Sequence, residues 1–232
     1  MPVLYIIPTP ISDFSIERVI PSYVISIIHH LRQFVVEDIR SARRIISKLN
    51  HPLAIDQLQF KILNEHTSMV ELSALITYIS TENTGLMSEA GLPCLADPGS
   101  HLVRLAHERK IDVVPLPGPC SIFMGLISSG LNGQSFSFAG YLPVKNKDRR
   151  VRLRDLEKRS TIDQQTQIFI ETPYRNMQLL NDIVNICKPD TLLTIAAGIT
   201  GSEEYIKTKY IKQWKKKLPD IHKIPAVFLL QA

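Results

Sequence analysis

Three short apolar runs, at residues 3–7, 84–88 and 111–116, each stop at a turn rich in proline or glycine, and a helical stretch follows each. Buried strands read as runs of this kind. Their alternation with helices predicts a mostly parallel sheet with helices on its faces. The turns are Pro8-Thr9-Pro10, the loop SEAGLPCLADPG at 88–99 and the loop LPGPCS at 116–121. Asp97-Pro98-Gly99 and Pro117-Gly118-Pro119 set φ with proline and permit positive φ with glycine, so the backbone can turn tightly and present its amide and carbonyl groups. Open α/β sheets bind ligands in loops at the carboxyl ends of their strands. One such tripeptide would read as an ordinary connection. Two so close together weaken that reading.

Along the chain, a helix is expected at 15–31 and a strand at 34–36 that ends in Glu37-Asp38. A helix at 41–49 follows, near which Arg40, Arg43 and Arg44 gather within about one turn. Such a trio suits a phosphate clamp or a solvated face equally. Ser68-x-x-Glu71 is a capping box, and Met69, Leu72, Leu75, Ile76 and Ile79 continue it at helical spacing as core. Helices are expected at 100–109, 120–129 and 176–187, strands at 136–141, 166–171, 192–197 and 226–230, and a basic helix near 210–217. Between residues 145 and 159 eight basic side chains outnumber three acidic ones, the densest charge run in the chain. A boundary near 116–119, with no Gly/Ser-rich linker, divides the chain into domains 1–117 and 118–232.

At 232 residues there is enough chain for one large or two small cores. A net charge of +5 favours a polyanionic partner only if it is clustered. Cys94, Cys120 and Cys187 are far apart, without a C-x-x-C pair, which suits a reduced, cytoplasmic protein. The apolar start lacks a basic leader and no run approaches the ~18 residues of a membrane span, so neither a signal peptide nor a membrane role is expected. The seven histidines show no ligand spacing, and no metal is expected.

The loop motifs resemble those of the tetrapyrrole-methylase superfamily of S-adenosylmethionine (SAM) methyltransferases. Within it they match the branch that 2′-O-methylates a cytidine ribose of small-subunit ribosomal RNA, small subunit methyltransferase I. That branch carries S-D-A-G-T-P-x-x-S-D-P-G and P-L-P-G-P-[SC]. These are matched by Ser88-Glu89-Ala90-Gly91-Leu92-Pro93, by Asp97-Pro98-Gly99, and by Pro115-Leu116-Pro117-Gly118-Pro119-Cys120. LYIIPTPISD at 4–13, VEDIRSARRII at 36–46, FAGYLPVKNKDRR at 138–150, IFIETPYRNMQLL at 168–180 and IPAVFLL at 224–230 resemble further family segments in the same order.

The resemblance implies an α/β fold of two domains, each a mixed sheet flanked by helices, with SAM in the cleft between them. The positions matching cofactor contacts are Pro8, Gly91, Asp97, Gly99 and Ser121, and in the second half Leu142, Ala197 and Pro225-Ala226. A valine at Gly91 or Gly118 is expected to weaken SAM binding by disfavouring positive φ and filling cofactor space. The Asp97 carboxylate could complement a sulfonium or accept from an amino group, or could cap the helix after Gly99. Methyl transfer is an in-line displacement at an activated sulfonium, so the protein mainly positions two reactants. A ribose hydroxyl is a poor nucleophile, and Asp38, Glu89, Glu171 and Arg175 are the weak candidates for assisting it. Glu171 and Arg175 could equally be a structural ion pair. RNA contacts fall to Arg40, Arg43 and Arg44 and to Lys145, Lys147, Arg149, Arg150 and Arg154. Ribosomal RNA or the small ribosomal subunit is the implied partner, and a homodimer the implied assembly.

Four departures stand out. Ser12 replaces a family glycine, Glu89 an aspartate, Ile39 a threonine, and Ala196-Ala197-Gly198-Ile199-Thr200-Gly201 replaces A-R-E-L-T-K. Two other functions are weighed beside the first. A tetrapyrrole substrate usually goes with a G-x-G-x-G first loop, where this chain has PTPIS. A non-catalytic RNA-binding or assembly factor would draw on the altered 196–201 segment.

Overall fold

The computed structural model describes residues 2–12 and 16–232, and they form two compact units, Met1–Cys120 and Ser121–Ala232. Asp13 and Ser15, which belong to the first matched motif and the first expected helix, lie outside the described residues.

In the first unit five strands, β1 (Val3–Ile7), β2 (Gln33–Val36), β3 (Gln59–Ile62), β4 (Thr84–Met87) and β5 (Asp112–Pro115), pair in the order β3-β2-β4-β1-β5. Every pairing is parallel, so this sheet is not mixed, whereas that of the second unit is. The helices are α1 (Ile16–Val19), α2 (Ser22–His30), α3 (Ile39–Lys48), α4 (Met69–Ile79) and α5 (Ser100–Glu108). The continuous helix expected at 15–31 is broken at Pro21, whose extended backbone (ψ 146°) caps α2. Leu4, Val35 and Leu86 face α4 and α5, while Ile7, Phe34, Val36 and Met87 face α2 and α3. Alternate residues of each strand therefore enter opposite cores, which explains unbroken apolar runs rather than alternation. The Ser68–Glu71 capping box opens α4, with Ser68 N–H donating to Glu71 Oε2 at 2.7 Å.

The second unit has α6 (Ser121–Ser129), β6 (Phe136–Tyr141), α7 (Asn146–Asp163), β7 (Thr166–Glu171), α8 (Asn176–Ile186), β8 (Leu192–Ala197), β9 (Tyr205–Tyr210), α9 (Ile211–Trp214) and β10 (Ala226–Gln231). Its sheet runs β6-β7-β10-β8-β9, with only the β6–β7 pair parallel. On one face Phe228 and Leu230 of β10 join Leu153, Leu156, Leu179, Ile183 and Trp214. On the other, α6 lays Gly125 close to Leu229, Ala196 and Val227. Of the basic helix expected near 210–217 one turn forms, Ile211–Trp214, anchored by Trp214 Nε1 donating to the carbonyl of Leu193 at 2.9 Å. Before it, residues 205–210 are an unexpected edge strand, β9, paired along its whole length with β8. Tyr, Ile and Thr favour a pleated surface once a partner strand exists.

Candidate functional site

In the first unit the loop leaving β1 leads to the face that carries α2 and α3, and the loop leaving β4 to the face of α4 and α5. β1 and β4 are neighbours, so their loops part at the carboxyl end of the sheet, the switch point where α/β sheets bind ligands. Pro8, Gly91, Asp97 and Gly99 all stand in these loops. Thr9 N–H donates to the Gly91 carbonyl at 2.8 Å, and Gly91 N–H returns a bond to the Thr9 carbonyl at 3.1 Å. Gly91 has φ +79°, as expected. Gly118 is required for a different reason: it is not at positive φ, but a Cβ there would lie 2.2 Å from Cβ of Pro8. The β1 loop is thus held between Gly91 on one side and Gly118 on the other. Cys94 and Ala96 also adopt positive φ, 69° and 65°, in the 88–99 loop. Non-glycine residues in that region carry strain that collects at functional loops.

Three carboxylates meet at this edge. Glu37, just after β2, accepts from the Glu89 N–H at 3.1 Å. Burial, and then the charges of Glu37 and Glu89, push Asp97 up to about 6, against a hydrogen bond from Ser88 that holds it down. Burial likewise raises Glu37. The capping role considered for Asp97 is absent, since Gly99 holds the cap position of α5 with no side-chain bond. Asp38 does cap a helix: it accepts from Ser41 N–H at 2.7 Å at the start of α3, and that bond lowers its pKa. Its carboxylate is engaged with the backbone. Glu89 accepts from Ser41 Oγ at 3.0 Å and is otherwise exposed.

Because Asp97 titrates higher folded than unfolded, the folded protein binds the extra proton between pH ~4 and ~6, and stability falls as pH rises through that window. Two pKa steps amount to roughly 3 kcal/mol in a fully buried site, and to about 1 kcal/mol after allowing for solvent around this half-exposed group. Asp97→Asn is therefore expected to raise Tm by roughly 2–4 °C at pH 8 and to give no gain at pH 4. Equal shifts at both pH values in a thermal melt would contradict the carboxylate cluster.

In the second unit the cofactor-matched positions gather at one end of the sheet. Ala226 sits opposite both Ala197 and Glu171, and the Gly198 N–H donates to the carbonyl of Pro225 at 2.9 Å. Leu142 is buried just after β6, and Ser121 opens α6. Glu171, the last residue of β7, does form the ion pair with Arg175: its Oε1 accepts from Nη2 at 2.6 Å and from Nε at 3.0 Å, and from the Thr172 N–H at 2.7 Å. Asn176, not singled out from sequence, is fully buried beside them. Its Nδ2 donates to the Ile224 carbonyl at 2.6 Å. An asparagine that opens an apolar helical stripe was the available signal.

The basic candidates separate by burial. Arg149 is not a surface residue. It is 1% exposed, pairs with Asp182 at 2.6 Å and donates to the Val144 carbonyl at 2.7 Å, because its place on α7 points it at α8 and not at solvent. Arg43 pairs with Asp56 at 2.7 Å, while Arg40 and Arg44 are exposed. Lys145 caps α7 by position. Lys147, Arg150, Arg154 and Lys158 follow at spacings that hold them within about 80° of one another around the helix, a single stripe. A second basic stretch lies outside these candidates: residues 205–217 carry six lysines and no acidic residue. Two of the six are engaged, Lys209 over the Trp214 ring and Lys212 with Asp190. Among the described residues no cluster of His, Cys, Asp or Glu could hold a metal ion, and no helix is long and apolar enough to cross a membrane.

The relatives decide the family. The ribosomal RNA small subunit methyltransferase I of Vibrio cholerae is 33% identical over 207 residues, covering 89% of this chain and 68% of its own length. That of Buchnera aphidicola subsp. Baizongia pistaciae is 31% identical over 219 residues, covering 93% and 71%. The chain belongs to the ribosomal RNA small subunit methyltransferase I family. No family model matches it. Among solved structures, diphthine synthase superposes with a TM-score of 0.71 over 99% of this chain and 90% of its own, and the methyltransferase CobJ with 0.66 over 100% and 94%. Both are 14% identical, which speaks for the tetrapyrrole-methylase fold alone. The loops whose motifs resemble that family's stand at the carboxyl ends of β1, β4 and β5.

Proposed function

We propose that the protein transfers a methyl group from SAM to a ribose 2′-hydroxyl of small-subunit ribosomal RNA, acting in the cytoplasm as a homodimer. The observation that carries this reading is the one-third identity, over nine-tenths of the chain, to a relative of that name. The described residues suit the cofactor in three ways: the switch-point loops hold backbone groups close together, Asp97 is a carboxylate poised to become anionic near a cation, and in the second unit a buried acceptor on Glu171 stands across the sheet from Ala226. SAM, when bound, would supply an activated methyl group. The chain's part is to hold the adenosyl and amino-acid ends, align the hydroxyl and accept its proton. For that last role Glu89 and Asp97 are better placed than Asp38, whose carboxylate is taken by the cap, or Glu171, whose Oε1 is taken by Arg175.

The altered 196–201 segment supports a lost activity only weakly. Ala196 and Ala197 keep their backbone pairing with β10, with both side chains fully buried in the second unit. A tetrapyrrole substrate finds support in fold likeness alone.

The test is methyl transfer from labelled SAM to small-subunit RNA, with the product mapped by nucleoside mass spectrometry. A single new 2′-O-methyl is expected in vitro and its loss in cells deleted for the gene; no transfer in vitro together with an unchanged methylation pattern in the deleted cells would reject the reading. RNA binding should follow the α7 stripe. Lys147, Arg150, Arg154 and Lys158 changed together to alanine are expected to weaken RNA binding and to flatten its log–log salt slope by about 0.7–0.9 for each phosphate no longer neutralised, with S-adenosylhomocysteine affinity unchanged. An unaltered slope would move the RNA surface elsewhere, the lysines of 205–217 being next.

A further inference from the structure

The second unit buries two side chains that each keep an oxygen to spare. The Glu171 side chain is fully buried, and its Oε1 collects three donors while its Oε2 has none. Asn176 is likewise fully buried. The Ile224 carbonyl needs a donor, so Nδ2 must face it and Oδ1 must be the edge left over, again without a partner. A buried acceptor without a hydrogen bond costs roughly 1–3 kcal/mol, more when charged, and folded proteins keep few. Two of them, five positions apart in sequence, are both fastened to one segment: Asn176 bonds Ile224, and Ala226 pairs with Glu171 across the sheet. That segment, Pro225-Ala226, matches the family's cofactor contacts.

We infer that Glu171 Oε2 and Asn176 Oδ1 form a pair of acceptors for N–H or O–H groups of the methyl donor, a reading that rests on the proposed SAM-dependent activity. The ligand chemistry is a donor group with two or more hydrogens to give. The donor's ammonium has such hydrogens, and so do the amine and hydroxyls of its adenosyl half. Bound there, it would offset the cost that the empty acceptors impose on the unliganded fold. Arg175 is then a positioning residue, since it fixes Oε1 and so turns Oε2 to the ligand.

Glu171→Gln keeps the shape of the side chain. Its amide oxygen can still face Arg175 and the Thr172 N–H, which puts an NH2 where the ligand needs an acceptor. Asn176→Ala removes the second acceptor. Calorimetry with S-adenosylhomocysteine, and separately with 5′-methylthioadenosine, which lacks the amino acid, reads the result, with thermal melts to confirm folding. Each variant is expected to bind S-adenosylhomocysteine at least tenfold more weakly than wild type. If the ammonium is the group held, methylthioadenosine affinity stays at the wild-type value. If the adenosyl half is held, it falls in parallel. Folded variants that bind S-adenosylhomocysteine within twofold of wild type overturn the inference and leave water as the occupant, as does an effect confined to the KM for RNA. Failure of wild type itself to bind at millimolar ligand would overturn the SAM-dependent reading, and this inference with it.

Discussion

Arg149→Ala is expected to cost the second unit about 3–5 kcal/mol, because it leaves the mostly buried Asp182 carboxylate without its cation. Two further bonds go with it, since the guanidinium also holds the carbonyls of Pro143 and Val144 and so ties the turn before α7 to α8. Asn146 Nδ2, at 3.1 Å from Asp182, cannot replace a charge. At a few degrees per kcal/mol the midpoint should fall by roughly 10–20 °C. Arg149→Met combined with Asp182→Leu should recover much of the loss, since an apolar pair of similar volume avoids the desolvation penalty. A midpoint change of under about 3 °C for the single variant would mean that the pair is not structural. Loss of RNA binding by an Arg149 variant would therefore report unfolding, which is why Arg149 is left out of the α7 stripe.

Gly118→Ala is expected to be the most damaging single methyl group in the first unit. The added carbon would sit 2.2 Å from Cβ and 2.3 Å from Cγ of Pro8, and a proline ring has no rotamer into which to retreat. The β1 loop must shift as a whole, at a cost of about 1–3 kcal/mol for overpacking. Since Thr9 is bonded on both sides to Gly91, the shift is carried into the 88–99 loop. S-adenosylhomocysteine affinity should drop at least tenfold. Gly133→Ala is the control, for a Cβ there meets nothing within 4 Å and should change neither property. Wild-type affinity and stability in Gly118→Ala would show that the loop is not held by this packing.

The strands at 3–7, 192–197 and 226–231 were easy to read because each is a run of five or six mostly apolar residues. β9 was hidden because its lysines alternate with half-buried Tyr, Ile and Thr, a pattern that makes a strand only when β8, beside it in space, supplies the hydrogen bonds. β3, with the sequence QFKI, is an exposed edge strand with the same weakness. The proline–glycine loops pointed to the carboxyl end of the first sheet because φ and chain reversal are local properties of those residues. Burial is not local. Nothing in KNKDRRVRLR distinguishes Arg149 from Arg150 until α8 brings Asp182 alongside. The same holds for Glu171 and Asn176, whose spare oxygens are defined by what surrounds them.

The position of β10 has a consequence for biosynthesis. It is the last strand in the described chain, yet it lies in the middle of its sheet, between β7 and β8. Until residues 226–231 have left the ribosome, β6–β7 and β8–β9 are two separate ladders, and β7 and β8 each present a long apolar edge with no partner. Such edges recruit other chains. A nascent chain stalled before residue 226 is thus a client for a chaperone or a seed for aggregation. Completion of the second unit is a single late event, whereas the first, whose strands all precede residue 116, can already be folded.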